Sequence, residues 1–347
     1  MQNRQENDRM SNVEENIVPN PSTSTGTLHD QSIRHNKSPS AHTSYASYST
    51  ASHFNETPPA GIPNLGNTCY INSVLQTLFC ADQLHELYQV PTAIASTLHE
   101  LRVQVKLLKD VDTIENLIVT LAAMNPEMVM GTQQDAHEYL TWLLGNLHVE
   151  QMSLNPNLML QAQANWNTWQ DFKNAHPTSV TDLLYHQLTV VYKCPACEQT
   201  ATEYQYSSCI YVYLNTDDIV VEPPDCQTRR ACSNCRHPET TASTKMTHCP
   251  PVLYLLLMRF DIHQRKIHKR MKIAQEITVK NATRYTLAAF INHHGRSLQT
   301  GHYTSTVRVN RKWYQCNDNN VKECRALKTS SDVYILMYTK NAQNGSS

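Results

Sequence analysis

The sequence predicts an α+β protein in which a helical half precedes a β half. Three observations carry this. Between residues 61 and 150 apolar side chains recur at the three- and four-residue spacing of helices. After about residue 185 they gather in short β-branched, aromatic or continuously apolar runs separated by turn residues. The chain has 347 residues of which only 40% are hydrophobic, low for a polypeptide packed along its whole length.

Residues 1–56 are rich in Ser, Thr, Asn, His and Gln without helical or strand period. Such a segment cannot bury enough apolar surface to offset its ordering entropy, so a disordered tail is expected there and again over 341–347. One domain is expected over 57–340. It divides into a helical half at 61–150, an intermediate subregion at about 185–250 and a β half at 250–340.

In "GIPNLGNTCYINSVLQTLF", the turn formers Pro63, Asn64, Gly66 and Asn67 lead into a helix opened by Cys69. Ile71, Val74, Leu75, Leu78 and Phe79 share one face of that helix. "IASTLHELRVQVKLLKD" and "IENLIVTLAAMN" predict two more. "GTQQDAHEYLTWLLGNL" predicts another, with Ala136, Tyr139, Leu140, Leu143 and Leu144 apolar. A polar stretch containing Trp166 and Trp169 follows. "LTVVYKC", "CIYVYLN", "VLYLLLMRF", "RYTLAAFIN", "HYTSTVRVN", "KWYQC" and "VYILMYTK" then read as strands. "VLYLLLMRF" shows no polar alternation before Arg259, so it is expected to be a central strand buried on both faces.

Net charge is −1, so no global field attracts nucleic acid or an acidic membrane. The basic run "HQRKIHKRMK" at 263–272 reads as a solvated loop or strand edge. No apolar run reaches the length of a membrane span, and the polar start "MQNRQENDRM" is not a signal peptide. Eleven cysteines without an export signal read as reduced thiols, metal ligands or a nucleophile. A cytoplasmic or nuclear monomer that binds neither nucleic acid nor membrane is expected.

A thiolate attacks carbonyls and a thiol hardly does. The unpaired N–H groups and dipole of a helix start stabilise negative charge and can pull a cysteine below its free pKa of about 8.5. Cys69 is expected to be such a cysteine. Downstream, His302 heads the strand in "TGHYTSTV", and Asn317 and Asp318 end the strand in "KWYQCNDNNV". A Cys nucleophile needs a base, and the base needs an amide or carboxylate to fix its tautomer. The order Cys, distant His, then Asn or Asp is the papain-like arrangement.

These segments carry a family resemblance. "GIPNLGNTCYINSVLQ" resembles the cysteine box of the ubiquitin-specific proteases, "GTQQDAHEYL" their Gln-Gln-Asp-Ala-x-Glu-Phe segment, and "TGHYTSTV" with "KWYQCNDNNV" their histidine box. The resemblance covers about 60 to 340. It implies a papain-like fold of helical thumb, β palm and zinc-pinned β fingers, and hydrolysis after the C-terminal glycine of ubiquitin through an acyl-enzyme thioester. It makes Cys69 the nucleophile, His302 the general base, Asn317 or Asp318 its orienting partner, and Asn64 an oxyanion-hole amide. It makes Asp135 the carboxylate that holds ubiquitin's extended tail, with Gln134, Glu138 and Tyr303 lining the same channel. Ubiquitin and ubiquitinated proteins are the implied partners.

Cys194 and Cys197, then Cys232 and Cys235, form two Cys-x2-Cys pairs separated by 34 residues. Four thiolates in this pattern suit one closed, structural zinc site, and the resemblance supports it despite the long spacing. No catalytic cofactor is expected.

Three departures from the family pattern stand out. Tyr139 replaces the usual Phe, so its hydroxyl needs a partner or water. His186 stands where glycine is usual, which implies strain if that backbone has positive φ. The stretch between "YVYLN" and "ACSNC" is short, so truncated fingers are expected.

Overall fold

The structure is a computed structural model that describes residues 57–107, 110–125, 131–155, 166–279, 282–298 and 300–342. The tail expected at 1–56 lies outside the described residues, as does 343–347 of the tail expected over 341–347; Asn341 is described, its N–H donating to the Arg284 carbonyl at 2.9 Å.

Four helices fill the first half: α1 (Cys69–Cys80), α2 (Ala93–Leu107), α3 (Val111–Ala123) and α4 (Ala136–Ser153), with a 3-10 turn over Asp82–Tyr88. The sequence suggests that α1 has one apolar face, yet eleven of its twelve residues are buried. Its polar side chains find partners inside: Ser73 Oγ donates to the Cys69 carbonyl at 2.7 Å, and Gln76 Nε2 to the Ala60 carbonyl at 2.6 Å. A helix that satisfies its own polar groups can be enclosed on all sides.

Two short helices, α5 (Trp169–Ala175) and α6 (Ser179–Leu184), occupy the stretch that sequence periodicity leaves unassigned. Their signal is in the caps. Thr168 Oγ1 accepts from the Asp171 N–H, and Thr178 Oγ1 from the Thr181 N–H, each at 3.1 Å. Trp169 stacks on His248 with ring centres 3.6 Å apart, and Phe172 stacks on Tyr206 at 4.1 Å. The aromatic cluster anchors α5 to the sheet that follows.

The strands are β1 (His186–Lys193), β2 (Thr200–Ser207), β3 (Cys209–Val212), β4 (Cys226–Thr228), β5 (Thr240–His248), β6 (Val252–Leu257), β7 (Met271–Lys272), β8 (Glu276–Val279), β9 (Thr283–Ser297), β10 (Thr300–Val309), β11 (Lys312–Asn317), β12 (Asn320–Cys324), β13 (Thr329–Ser330) and β14 (Val333–Lys340). A four-stranded sheet runs β2-β1-β5-β4. A larger one runs β12-β11-β10-β9-β14-β6-β3, with β8 paired to the start of β9. Strands β2 and β5 and the short β4, β7, β8, β12 and β13 lack the apolar runs that reveal the other seven.

All six residues of β6 are buried. Val252, Tyr254 and Leu256 enter the core shared with the helices, while Leu253, Leu255 and Leu257 enter a second core beyond the sheet. The expectation of a strand covered on both faces is met through this period of two.

His186 opens β1 and is not among the positive-φ residues, so the strain expected there does not arise. The basic run is spent internally. Buried Lys266 meets Asp332 at 2.7 Å, Arg265 meets Asp261, Lys269 meets Asp217 and Lys272 meets Asp218. No described helix is long and apolar enough to cross a membrane.

Candidate active site and cysteine cluster

The site forms where the loop before α1 meets the β11–β12 turn. Gly66 and Asn67 both adopt positive φ, and the Asn64 side-chain carbonyl accepts the N–H groups of Gly66 at 3.0 Å and Thr68 at 3.2 Å. Thr68 precedes α1 but does not cap it, because its hydroxyl instead accepts from the Leu65 N–H at 2.9 Å. The first amides of α1 are therefore left without a side-chain cap beside Cys69.

Gly61 lies against the opposite turn so closely that a Cβ would sit 2.3 Å from the Asn319 carbonyl oxygen. Asp318, in the left-handed region at φ 48°, is fully engaged there. One carboxylate oxygen accepts from Asn64 Nδ2 and the other from Asn72 Nδ2, each at 2.8 Å, and its backbone carbonyl accepts from the Ile62 N–H at 3.0 Å.

His302 bonds to Asn317 rather than Asp318. The distance from His302 Nε2 to Asn317 Oδ1 is 2.7 Å. With the amide oxygen accepting, Nε2 carries the proton and Nδ1 is left as the basic nitrogen. The choice that the sequence leaves open between the two residues falls to Asn317 in this geometry.

Cys69 is buried at 4% exposure, and the backbone N–H groups of Tyr303, Tyr70 and Cys69 itself face its sulfur. Burial nevertheless pushes the thiol above its ordinary value, and the Asp318 carboxylate adds to the rise. The lowered thiol expected from the helix start is therefore not found, because desolvation outweighs the amides. Among the described residues no hydrogen bond joins Cys69 to His302. The link between them is the strand: Tyr303, whose N–H faces the sulfur, directly follows His302 on β10.

Asp135 caps α4, accepting from the His137 N–H and from the buried Tyr334 hydroxyl, each at 2.7 Å. Burial holds its carboxyl up at about 6. Tyr303 is buried against His293, with ring centres 4.9 Å apart. Glu138 is exposed in the first turn of α4. Gln134 turns away from β10 to donate to the Thr132 hydroxyl at 2.9 Å.

Its neighbour Gln133 reaches β10. Gln133 donates to the Gly301 carbonyl at 2.8 Å and accepts from the Gly301 N–H at 2.9 Å. Nothing in "TQQD" distinguishes the two glutamines. Asn72, also absent from the sequence expectations, is one of four polar residues in α1, with Ser73, Gln76 and Thr77, and nothing in the sequence singles it out.

Tyr139 is completely buried, T-shaped against Tyr70 at 5.7 Å and stacked on Trp142 at 5.9 Å. Its hydroxyl has no partner among the described residues, so no described side chain supplies the partner that the substitution calls for in the absence of water.

Far along the chain, Cys194, Cys197, Cys232 and Cys235 bring their sulfurs within 4.8 Å of one another, a group that can hold a metal ion. Two equivalent turns build it. Glu198 N–H donates to the Cys194 carbonyl at 3.0 Å, and Arg236 N–H to the Cys232 carbonyl at 2.9 Å. Both donors have positive φ, 60° and 59°. The Cys194–Cys235 and Cys197–Cys232 sulfurs lie 3.5 and 3.7 Å apart. Tetrahedral metal–sulfur bonds of about 2.3 Å require a separation of about 3.8 Å, so the donor set and its spacing fit. Cys226 and His237 are not members of the group.

Residues 60–338 match the family model described as ubiquitin carboxyl-terminal hydrolase. The chain is 26% identical over 367 residues to ubiquitin carboxyl-terminal hydrolase Usp2 of Drosophila melanogaster, covering 88% of this chain and 38% of that protein. It is 24% identical over 336 residues to ubiquitin carboxyl-terminal hydrolase 2 of Homo sapiens, covering 80% and 54%. It thus spans about half or less of the length of these curated relatives. In fold it is similar to the SAGA Ubp8/Sgf11/Sus1/Sgf73 DUB module bound to ubiquitin aldehyde, with TM-score 0.67, 17% identity and coverage of 84% and 72%. A structure of the Ubp8-Sgf11-Sgf73-Sus1 SAGA DUB module gives TM-score 0.64 at 20% identity, covering 82% and 68%.

Proposed function

Because the chain belongs to the ubiquitin carboxyl-terminal hydrolase family, we propose that it is a thiol protease that cleaves the bond after the C-terminal glycine of ubiquitin. One observation carries this reading: Asn317 fixes the His302 tautomer on the strand whose next N–H faces the Cys69 sulfur.

The thiol proton passes from Cys69 to His302 Nδ1 as the sulfur attacks the carbonyl carbon. The carbonyl electron pair moves onto oxygen, where the Cys69 N–H and the remaining hydrogen of the Asn64 amide would receive it. A donor so placed is worth about 3 kcal/mol in comparable sites. Collapse breaks the C–N bond, and the leaving amine takes the proton from His302. Water, deprotonated by His302, then attacks the thioester and releases the carboxylate and the Cys69 sulfur. A thiol held above its ordinary value makes this a proton transfer driven by substrate binding rather than a standing ion pair. Asp135, Tyr303 and Glu138 would line the path of the tail.

The four-cysteine group would hold one structural zinc, remote from the chemistry. The enzyme is proposed to act as a single chain in the cytoplasm or nucleus, where its eleven free cysteines stay reduced.

A ubiquitin probe bearing a C-terminal electrophile tests the reading. Labelling of the wild type and its loss in Cys69→Ala are expected, with probes built on other ubiquitin-like modifiers reacting more slowly. A second reading, a ubiquitin-binding scaffold without catalysis, is favoured by the missing Cys69–His302 hydrogen bond. Binding without labelling would select it, and preferential labelling by another modifier would change the substrate.

A further inference from the structure

The strand edge beside the nucleophile is already occupied, and by a side chain shaped like a peptide bond. In an antiparallel sheet the N–H and C=O of one residue point to the same side, and residues two apart share that side. Gly301 pairs across from Gly295 on β9, yet both its N–H and its C=O go to Gln133, so they point away from the β9 ladder. Tyr303, two residues on, directs its N–H to the same side, at the Cys69 sulfur. β11 pairs with β10 only from Ser305 to Val309, so no strand covers the edge from Gly301 to Thr304.

This edge leads to the sulfur over about 7 Å, the rise of two strand residues. An extended chain laid along it would exchange one N–H and one C=O with Gly301, as any hydrogen-bonded strand pair does. The Gln133 carboxamide does the same: one planar group, one donor, one acceptor, at 2.8 and 2.9 Å. Gln133 is exposed, so its bonds can be exchanged with water or with an incoming chain. Gly301 has no room to move inward, since even a Cβ there would lie 2.3 Å from Nε2 of the buried His293 ring.

We infer that Gln133 is a built-in stand-in for the substrate's backbone: it closes the Gly301 edge in the free protein, and the glycine-ended tail displaces it to make the same two hydrogen bonds. The inference rests on the proposed function, since it takes the tail of ubiquitin as the displacing chain. Gln133 is a competitor within the fold that sets affinity, and it takes no part in the bond-breaking steps.

Affinity in the inactive Cys69→Ala background reads this directly. Labelled ubiquitin would be titrated, by fluorescence anisotropy, into that full-length protein and into the same protein carrying Gln133→Ala or Gln133→Met. Methionine keeps the length of the side chain and removes both hydrogen bonds. Both substitutions are expected to tighten binding by about threefold to tenfold, the cost of breaking two solvent-exposed hydrogen bonds. The Gly301 amide should exchange faster in both free variants and regain protection when ubiquitin binds. Unchanged or weaker affinity in both variants would overturn the inference, as would a gain with alanine alone, which would make the obstruction one of bulk. If the protein with Gln133 intact neither binds nor cleaves ubiquitin, the proposed function falls and takes this inference with it. Cleavage by the wild type without the affinity gain removes the inference alone.

Discussion

At the tip of the four-stranded sheet, the Gln199 N–H draws the Cys197 thiol down to about 6, and the N–H groups of Cys235 and Asn234 draw Cys232 down as well. Around Cys69 three backbone N–H groups face the sulfur, and its thiol still rises. The cluster is not uniform: at Cys235 the His237 N–H is outweighed by the adjacent Cys194 and Cys197 thiols, which push it up to about 12. At Cys69 the cost is desolvation, which takes more from the anion than the amides return. The four-cysteine region is completed by its own backbone turns and is ready for a cation. The region around Cys69 also keeps buried polar groups without partners among the described residues: the Tyr139 hydroxyl and both ring nitrogens of His293, whose imidazole burial holds at about 4. One region satisfies its own polar groups, while the other keeps unmet ones, as the proposed catalytic role would use.

The largest effect should come from the stable region. Cys194→Ser or Cys235→Ser, or a strong chelator, is expected to release zinc and lower the unfolding temperature sharply, because zinc binding in small peptides is worth roughly 10 kcal/mol or more. Metal analysis alongside thermal unfolding would show it. A variant that keeps full stability and activity would end the metal assignment and erase the contrast.

Next comes the His302–Asn317 bond, which would orient the proposed base. Asn317→Ala should reduce kcat by about 10^2- to 10^4-fold, the range seen when a triad histidine loses its tautomer lock. Asp318→Asn should cost less. Asp318 cannot replace Asn317 without abandoning Asn64, Asn72 and the Ile62 amide. Equal losses from the two substitutions would show that Asp318 serves His302 after all.

How far the sequence reaches follows the same division. The order of helices and apolar strands, the burial of β6 on both faces and the four-cysteine set are legible, because each depends on local period or spacing. Helices α5 and α6 escape periodicity because they are too short to show one, although Thr168 and Thr178 mark their starts. Strands β2 and β5 escape because threonine alternation is weak. At the candidate site, the place of Cys69 at the start of α1 and the meeting of His302 with Asn317 follow from their motifs. The Asn64–Asp318–Asn72 network and the choice of Gln133 over Gln134 cannot, since both depend on how segments distant in sequence meet. The rise of the Cys69 thiol is invisible for the same reason: a helix start is written in the sequence, and the depth of its burial is not.

A smaller effect isolates the charge beside the nucleophile. Asp318→Asn removes a negative group that raises the thiol, so the Cys69 thiol should titrate at lower pH. The sign follows from electrostatics: the thiolate is no longer repelled, a larger fraction is ionised at any pH below its midpoint, and alkylation quickens. At about pH 8 iodoacetamide should modify Cys69 roughly threefold to tenfold faster than in wild type. An unchanged rate would mean that burial alone sets the thiol.

The smallest effect probes whether the catalytic region truly carries unmet polar groups. Tyr139 is enclosed by Tyr70 and Trp142, and its hydroxyl has no partner among the described residues. Burying such a group costs about 1–3 kcal/mol, while deleting it leaves the ring packing intact. Tyr139→Phe should therefore leave stability unchanged or raise it by up to about 1 kcal/mol in denaturant unfolding. The cavity left by one oxygen is too small to reverse that sign. A loss of more than about 1 kcal/mol would mean that the hydroxyl is bonded, through water or otherwise, and that this part of the core is as well satisfied as the cysteine turns.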